Sequence, residues 1–240
     1  MRIKRILVSQ PSPDNGKSPY FELAEKNNLQ IDFRPFIHVE GIPAREFRQD
    51  RIDILEHTAV IFTSKTSADH FFRICEELRI NVPDSMKYFC VSESTAYYLQ
   101  KYVVYRKRKI FHGRQSIHDL MDVIKKHSGE NFLLPCSDIH KQSIPQLLED
   151  NGISFSKAIL YKTVCSDLSD LKDVNYDVLV FFSPSGIESY LTQNKAGDEV
   201  AFCIGSTTAT EAKNHFKNVV EAKTPSTESV LAAVNNYFST

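Results

Sequence analysis

Val178-Leu179-Val180-Phe181-Phe182-Ser183-Pro184-Ser185-Gly186 passes without a break from an apolar run into serine, proline and glycine. A short, continuously apolar run suits a strand covered on both faces. Ser183 is a good helix N-cap, and Pro184 suits the first helical position. The stretch therefore predicts a strand that turns directly into a helix. The same pattern occurs earlier as Val60-Ile61-Phe62-Thr63-Ser64, at an offset of 120 residues.

Working outward, further apolar runs read as strands: Ile6-Leu7-Val8, Tyr88 to Val91, Phe132-Leu133-Leu134 and Ala201 to Ile204. Longer amphipathic stretches separate them. Residues 138–150 place Ile139, Ile144, Leu147 and Leu148 on one side, with Gly152 as a stop, and 64–79 and 205–216 are similar. Strand–helix alternation predicts an α/β fold with parallel sheets.

The two halves echo each other. Lys4 to Gln10 matches Glu130 to Cys136. Phe89-Cys90-Val91-Ser92-Glu93-Ser94-Thr95-Ala96 matches Phe202-Cys203-Ile204-Gly205-Ser206-Thr207-Thr208-Ala209 at four of eight positions. The segment after Gln115-Ser116 echoes the one after Ser226-Thr227. Order is kept throughout, so a duplicated α/β unit is the simplest account. A chain of 240 residues allows two such units, each large enough for a core of its own. The best connector candidates lie near 38–44 and 163–175.

Composition narrows the function. A net charge of −1 points to neither nucleic acid nor a membrane surface. The basic run Arg106-Lys107-Arg108-Lys109 lacks interleaved aromatics and reads as a solvated edge. No run approaches the roughly 18 apolar residues of a membrane span, and the N-terminus lacks the apolar stretch of a signal peptide. Five widely spaced cysteines without a CxxC pair read as reduced thiols, which predicts a cytoplasmic protein. Cys136 reads as a buried structural thiol. The eight histidines show no metal spacing. Gly16-Lys17-Ser18 is not a phosphate-binding loop, because Pro11 stands where its first glycine belongs.

Chemistry is expected where hydroxyl-rich turns follow strands. These are Thr63-Ser64-Lys65, Ser92 to Thr95, Ser183 to Gly186, and Gly205 to Thr208 with Thr207 at its centre. Ligands of open α/β sheets bind at the carboxyl ends of strands, and helix N-termini favour anions. Four such turns, two per lobe, are expected to line a cleft suited to a ligand with several carboxylates. Lys65, Lys141 and Lys162 are the basic residues beside them, with Lys141 expected in the first turn of its helix.

Phe181-Phe182-Ser183-Pro184-Ser185-Gly186, Ile204-Gly205-Ser206-Thr207-Thr208-Ala209 and Leu160-Tyr161-Lys162-Thr163 resemble segments of the uroporphyrinogen-III synthase family. Leu134-Pro135-Cys136-Ser137, Ile61-Phe62-Thr63-Ser64 and Thr224-Pro225-Ser226 fall in order around them. Ser92 departs from the family's usual glycine, a residue that permits left-handed backbone. The resemblance implies two similar flavodoxin-like lobes with parallel sheets, joined by a two-stranded connector, with the first strand–helix unit exchanged. One lobe would comprise 1–36 plus 166–240 and the other 40–162, with connectors near 37–40 and 162–166.

The implied reaction closes hydroxymethylbilane, a linear tetrapyrrole rich in carboxylates, with inversion of ring D and loss of water. It implies no cofactor, a monomer, and transient contact with hydroxymethylbilane synthase. Tyr161 matches the family's tyrosine and is the implied proton donor to the leaving hydroxyl. The residues Thr63, Ser64, Lys65, Ser92, Ser94, Thr95, Lys141, Ser183, Ser185, Gly186, Gly205, Thr207 and Thr208 would bind the substrate. The residues by themselves leave open a non-catalytic two-lobed binding or scaffold protein for a polycarboxylate.

Overall fold

The computed structural model describes residues 4–13, 18–114, 116–139 and 142–239. Its strands are β1 (Lys4–Val8), β2 (Leu29–Phe33), β3 (Ile37–Gly41), β4 (Ala59–Phe62), β5 (Lys87–Cys90), β6 (Ile110–His112), β7 (Phe132–Ser137), β8 (Phe155–Cys165), β9 (Val178–Phe181), β10 (Val200–Cys203) and β11 (Asn218–Glu221). Its helices are α1 (Pro19–Asn27), α2 (Ala44–Phe47), α3 (Lys65–Glu77), α4 (Glu93–Tyr98), α5 (Ile117–Lys126), α6 (Ser143–Asp150), α7 (Pro184–Gln193), α8 (Ser206–Lys213) and α9 (Thr227–Ser239). The chain divides into two compact units, Met1–His38 with Val164–Thr240, and Val39–Thr163.

The first unit holds a sheet in the order β11-β10-β9-β1-β2, parallel at each pairing. Taken along the chain this is the flavodoxin order, with its switch point between β1 and β9. The second unit holds β3-β8-β7-β4-β5-β6. Without the edge strand β3 its neighbours follow the first five strands of the dinucleotide-binding order 3-2-1-4-5, with the switch point between β4 and β7. The two sheets match neighbour for neighbour: β9, β10, β11, β1 and β2 correspond to β4, β5, β6, β7 and β8.

Successive strand residues face opposite sides, and here both sides are packed. Ile6, Val8, Val178, Val180 and Phe202 enter one cluster, whereas Leu7, Leu179, Phe181 and Cys203 enter another. In the second unit Val60 and Phe62 pack with Phe71 and Tyr88, while Ala59 and Ile61 pack with Phe89, Phe132 and Leu134. This two-sided burial is why the runs are continuously apolar. Each fully buried side chain of this size contributes about 1.5–3 kcal/mol.

Expected and observed elements differ in places. The helix expected at 138–150 begins at Ser143. Pro145 has no amide proton and fits a helix only in its first turn, where amides lack intrahelical partners. A helix begun at residue 138 would carry that proline internally. Ile139 accordingly lies outside the helix and is 61% exposed. Ser92, which stands where the family carries glycine, is extended at φ −138°, and Gly205 is extended too, so neither turn uses a left-handed residue. Gly152 does, at φ 66°, and stops α6.

Candidate active site

The switch point of the second unit is opened by a proline. β4 pairs with β7 only through Ala59–Phe132 and Val60–Leu133. Pro135, two residues further along, has no N–H to give to a central ladder. At the β1–β9 seam of the first unit the ladder carries on, with Ser9 N donating to Val180 O at 3.0 Å. Where the β4–β7 seam ends, a pocket of about 470 Å³ forms, lined in part by Thr63, Leu134, Cys136, Ser137, Ser143 and Tyr161.

Tyr161 reaches that pocket through a bulge. β7 and β8 run in register to Cys136–Ile159, and then Ser137 pairs with Tyr161, skipping Leu160. Consecutive strand residues ordinarily part to opposite faces. Here Leu160 and Tyr161 both join the core that holds Val60 and Phe62. The skipped carbonyl of Leu160 accepts from Ile42 N at 2.9 Å and from Arg73 Nη2 at 3.0 Å. Tyr161 is 8% exposed. Burial pushes its phenol above the ordinary range, against a smaller downward pull from a hydrogen bond with Ser64. It is a protonated hydroxyl at neutral pH.

The expected site residues fall into distinct roles. Ser64 caps α3, accepting from Ser67 N at 3.1 Å, while its own amide donates to Ser67 Oγ at 3.2 Å. The amides of Lys65 and Thr66 then have no partner within the helix. Lys65 is exposed, its Nζ 5.5 Å above the Tyr98 ring. Ser92 caps α4 through Thr95 N at 3.3 Å, and its hydroxyl lies 3.1 Å from that of Ser94. Thr95 turns inward and is 3% exposed. Lys141 lies outside the described residues, and α6 starts two residues beyond it.

In the first unit Ser183 caps α7, accepting from Gly186 N at 3.1 Å. Ser185 is half-buried and Gly186 buried. Gly205 offers α8 no side-chain cap, which leaves the amides of Ser206, Thr207 and Thr208 without intrahelical partners. Thr207 lines a hollow of about 450 Å³ with Pro184, Ser206 and Glu211, whereas Thr208 is buried. Thus, among the described residues of the expected set, Thr63 and Tyr161 line one pocket together.

Further residues in and around the pocket lie outside the expected site set. Ser116 caps α5 in a reciprocal box with Asp119; its Ser-x-x-Asp spacing is a readable signal. Asp138 clamps the turn after β7, accepting from Ser137 Oγ at 2.7 Å, Ile139 N at 2.8 Å and Thr163 N at 3.1 Å. Burial pushes its carboxyl up, but these bonds outweigh burial and hold it below the usual range. The thiol of Cys136 is pushed up to about 11 by burial, so it is not a nucleophile at neutral pH.

A larger hollow, of about 710 Å³, lies elsewhere in this unit, lined by Phe72, Tyr88, Tyr102 and Arg106 among others. It contains none of the expected residues. Its Asp69 already accepts from Tyr98 at 2.8 Å and from Tyr102, and Arg106 faces Asp84 at 3.8 Å. Position at the carboxyl ends of the strands, rather than size, selects the smaller pocket. Among the described residues no group of three His, Cys, Asp or Glu could hold a metal ion, and no helix is long and apolar enough to cross a membrane.

Residues 18–232 match the family model described as uroporphyrinogen-III synthase HemD. The crystal structure of uroporphyrinogen-III synthetase from Helicobacter pylori is similar over 98% of this chain and 100% of its own, with a TM-score of 0.64 at 19% identity. A mutant uroporphyrinogen III synthase from Thermus thermophilus is similar over 98% of this chain and 97% of its own, with a TM-score of 0.54 at 14% identity.

Proposed function

The chain belongs to the uroporphyrinogen-III synthase family, and we propose that its pocket at the β4–β7 switch point carries the chemical step of that family's reaction, with Tyr161 as proton donor. The reaction converts hydroxymethylbilane to uroporphyrinogen III, a cyclising lyase step of tetrapyrrole biosynthesis. Departure of the terminal hydroxyl leaves an electrophilic azafulvene on ring A. Ring D attacks through its substituted carbon, and the spirocycle fragments and recloses with that ring inverted. Closure without the enzyme skips the inversion, so the protein's work is to hold the two ends in one geometry and to assist the leaving group.

The observation that carries this assignment is the buried Tyr161 side chain, which lines one pocket with Thr63 at the end of the interrupted seam. An O–H there can give its proton to the departing hydroxyl, which leaves as water. The amides of Lys65 and Thr66, with the side chains of Thr63 and Lys65, offer a carboxylate donors and positive charge. Ser94, beside the α4 cap, offers a further hydroxyl. In the first unit the amides of Ser206 and Thr207, with Ser185, offer the same chemistry to other carboxylates of the substrate. Ser64, Ser92 and Ser183 act as caps that shape these turns, and Gly186, Thr95 and Thr208 support them from the buried side. Lys141 supplies a further cation for the substrate. The two units fold as lobes of about the bounds 1–36 plus 166–240 and 40–162. The enzyme works as a cytoplasmic monomer in transient contact with hydroxymethylbilane synthase, whose unstable product it consumes.

The test is a coupled assay in which hydroxymethylbilane is generated in place and the oxidised porphyrins are separated by isomer. Wild type should give mostly type III. Tyr161→Phe should slow its formation by about tenfold to a hundredfold, the low end for a general acid, because a phenol that burial pushes above its ordinary range is a weak acid. Full rate and full selectivity in that variant would remove Tyr161 from the mechanism.

A further inference from the structure

Tyr161 does not stand alone in its pocket wall. The imidazole of His70, on α3, lies flat against its ring, with centroids 4.9 Å apart and planes 20° from parallel. His70 Nδ1 accepts a hydrogen bond from Arg73 Nε at 3.1 Å. A nitrogen that accepts carries no proton, so the network assigns a neutral imidazole with its hydrogen on Nε2. Burial and the Arg73 charge both oppose protonation of this ring, over a smaller opposite pull from Asp69.

Arg73 is itself fixed. Its Nη2 donates to Ile42 O at 2.8 Å and to Leu160 O at 3.0 Å, and its Nη1 pairs with Glu77. One guanidinium therefore holds both the ring stacked on Tyr161 and the backbone residue just before it. The phenol is restrained from its face and from its own main chain by the same group.

We propose that His70 is a positioning residue, an uncharged flat platform locked by Arg73 that sets the ring plane of Tyr161 and so aims its hydroxyl at one point of the pocket. The proposal rests on the role given to Tyr161. A neutral ring suits the place, because the substrate gains positive character when its hydroxyl departs, and a cation beside it would oppose that step. Nothing in this arrangement needs the imidazole to exchange a proton. A stack of this kind loses its effect when the flat ring is removed and keeps it when another flat ring replaces it.

The experiment uses the full chain in the coupled assay, with kcat, KM, the fraction of type III product and the thermal midpoint read for His70→Ala, His70→Phe, Tyr161→Phe and the double variant His70→Ala/Tyr161→Phe. His70→Ala should lower kcat about threefold to tenfold, equivalent to about 0.65 to 1.4 kcal/mol of barrier at 1.36 kcal/mol per tenfold. Its KM should stay within about twofold, and its type I fraction should rise. His70→Phe should recover most of the lost kcat and selectivity. The double variant should be no slower than Tyr161→Phe alone, since the platform acts only through that hydroxyl. A purely structural role would lower the thermal midpoint without changing the isomer ratio, and that result overturns the proposal. So does a His70→Phe variant as impaired as His70→Ala, which would make the ring nitrogens rather than the flat face the cause. If Tyr161→Phe is impaired and His70→Ala is not, the platform fails while the acid stands. If Tyr161→Phe is unimpaired, both fail.

Discussion

Gly41→Ala is a test of how the pocket wall is built. A Cβ at residue 41 would come within 2.7 Å of Arg73 Cζ and Nε and 2.8 Å of Nη2. No atoms approach that closely without something shifting, and the guanidinium is the part that can move. Its displacement breaks the hydrogen bonds to Ile42 O and Leu160 O. Hydrogen bonds from a charged group contribute about 1.5–3 kcal/mol each. Arg73 is 27% exposed, so water replaces part of the loss, and about 2–3 kcal/mol for the pair is the working value. Gly41 is not among the positive-φ residues, so alanine fits its backbone and returns about 0.4–1 kcal/mol by restricting the unfolded chain. The net expectation is a destabilisation of about 2 kcal/mol, read from urea unfolding at unchanged m-value. In an Arg73→Ala background the obstruction is gone, and Gly41→Ala should turn mildly stabilising. Equal effects in the two backgrounds, or a Gly41→Ala protein within about 0.5 kcal/mol of wild type, would refute the bracket.

Other expectations follow from the same geometry. Asp138 is held below the usual carboxylate range, so its stabilisation is complete above its unfolded pKa, near 3.9, and fades as pH falls through the lower folded value. Asp138→Asn should cost about 0.5–1 kcal/mol at pH 7 and lose that difference in acid, as read from urea midpoints across pH. Burial pushes the thiols of Cys75, Cys90 and Cys203 to about 12 and that of Cys136 to about 11, while Cys165 is exposed. Brief alkylation of the native protein should add one label, at Cys165, by peptide mass. A fragment of residues 40–162 should unfold cooperatively by itself and a fragment of 1–120 should not, because β1 and β2 pair with β9 and each other rather than with β4 or β5.

Legibility in the sequence tracked burial. The six strands read as apolar runs are those packed on both faces. The edge strands β2, β6 and β11 escaped notice because at most one residue of each is buried, and β3, with none buried, was expected only as a connector near 37–40 through the resemblance. β8 escaped because Lys157 and Lys162 interrupt its apolar residues, although Ala158 and Leu160 are fully buried. The hydroxyl turns were readable as helix starts, since capping chemistry is local. Which hydroxyls face a ligand was not, as Thr95 and Thr208 show by turning inward. Tyr161 was found through family resemblance alone. Its facing depends on a bulge one residue away, and period-two reasoning sends it to the wrong side. His70 and Arg73 matter only because β8 comes to lie against α3, a contact that local sequence does not encode.

Pro135 has a consequence for how a duplicated architecture diversifies. Both copies inherit a seam where the strand order reverses. While a seam is laddered, its residues must keep supplying amides and must alternate in step with their neighbours. A proline releases the chain beyond it from that duty. Cys136 and Ser137 then lie past the end of the ladder with β4, and the next residues of β8 can slip by one. The unlaced seam becomes ground on which substitutions are judged by what they present to a ligand. Its laced twin at β1–β9 remains under the older rule of holding the sheet together.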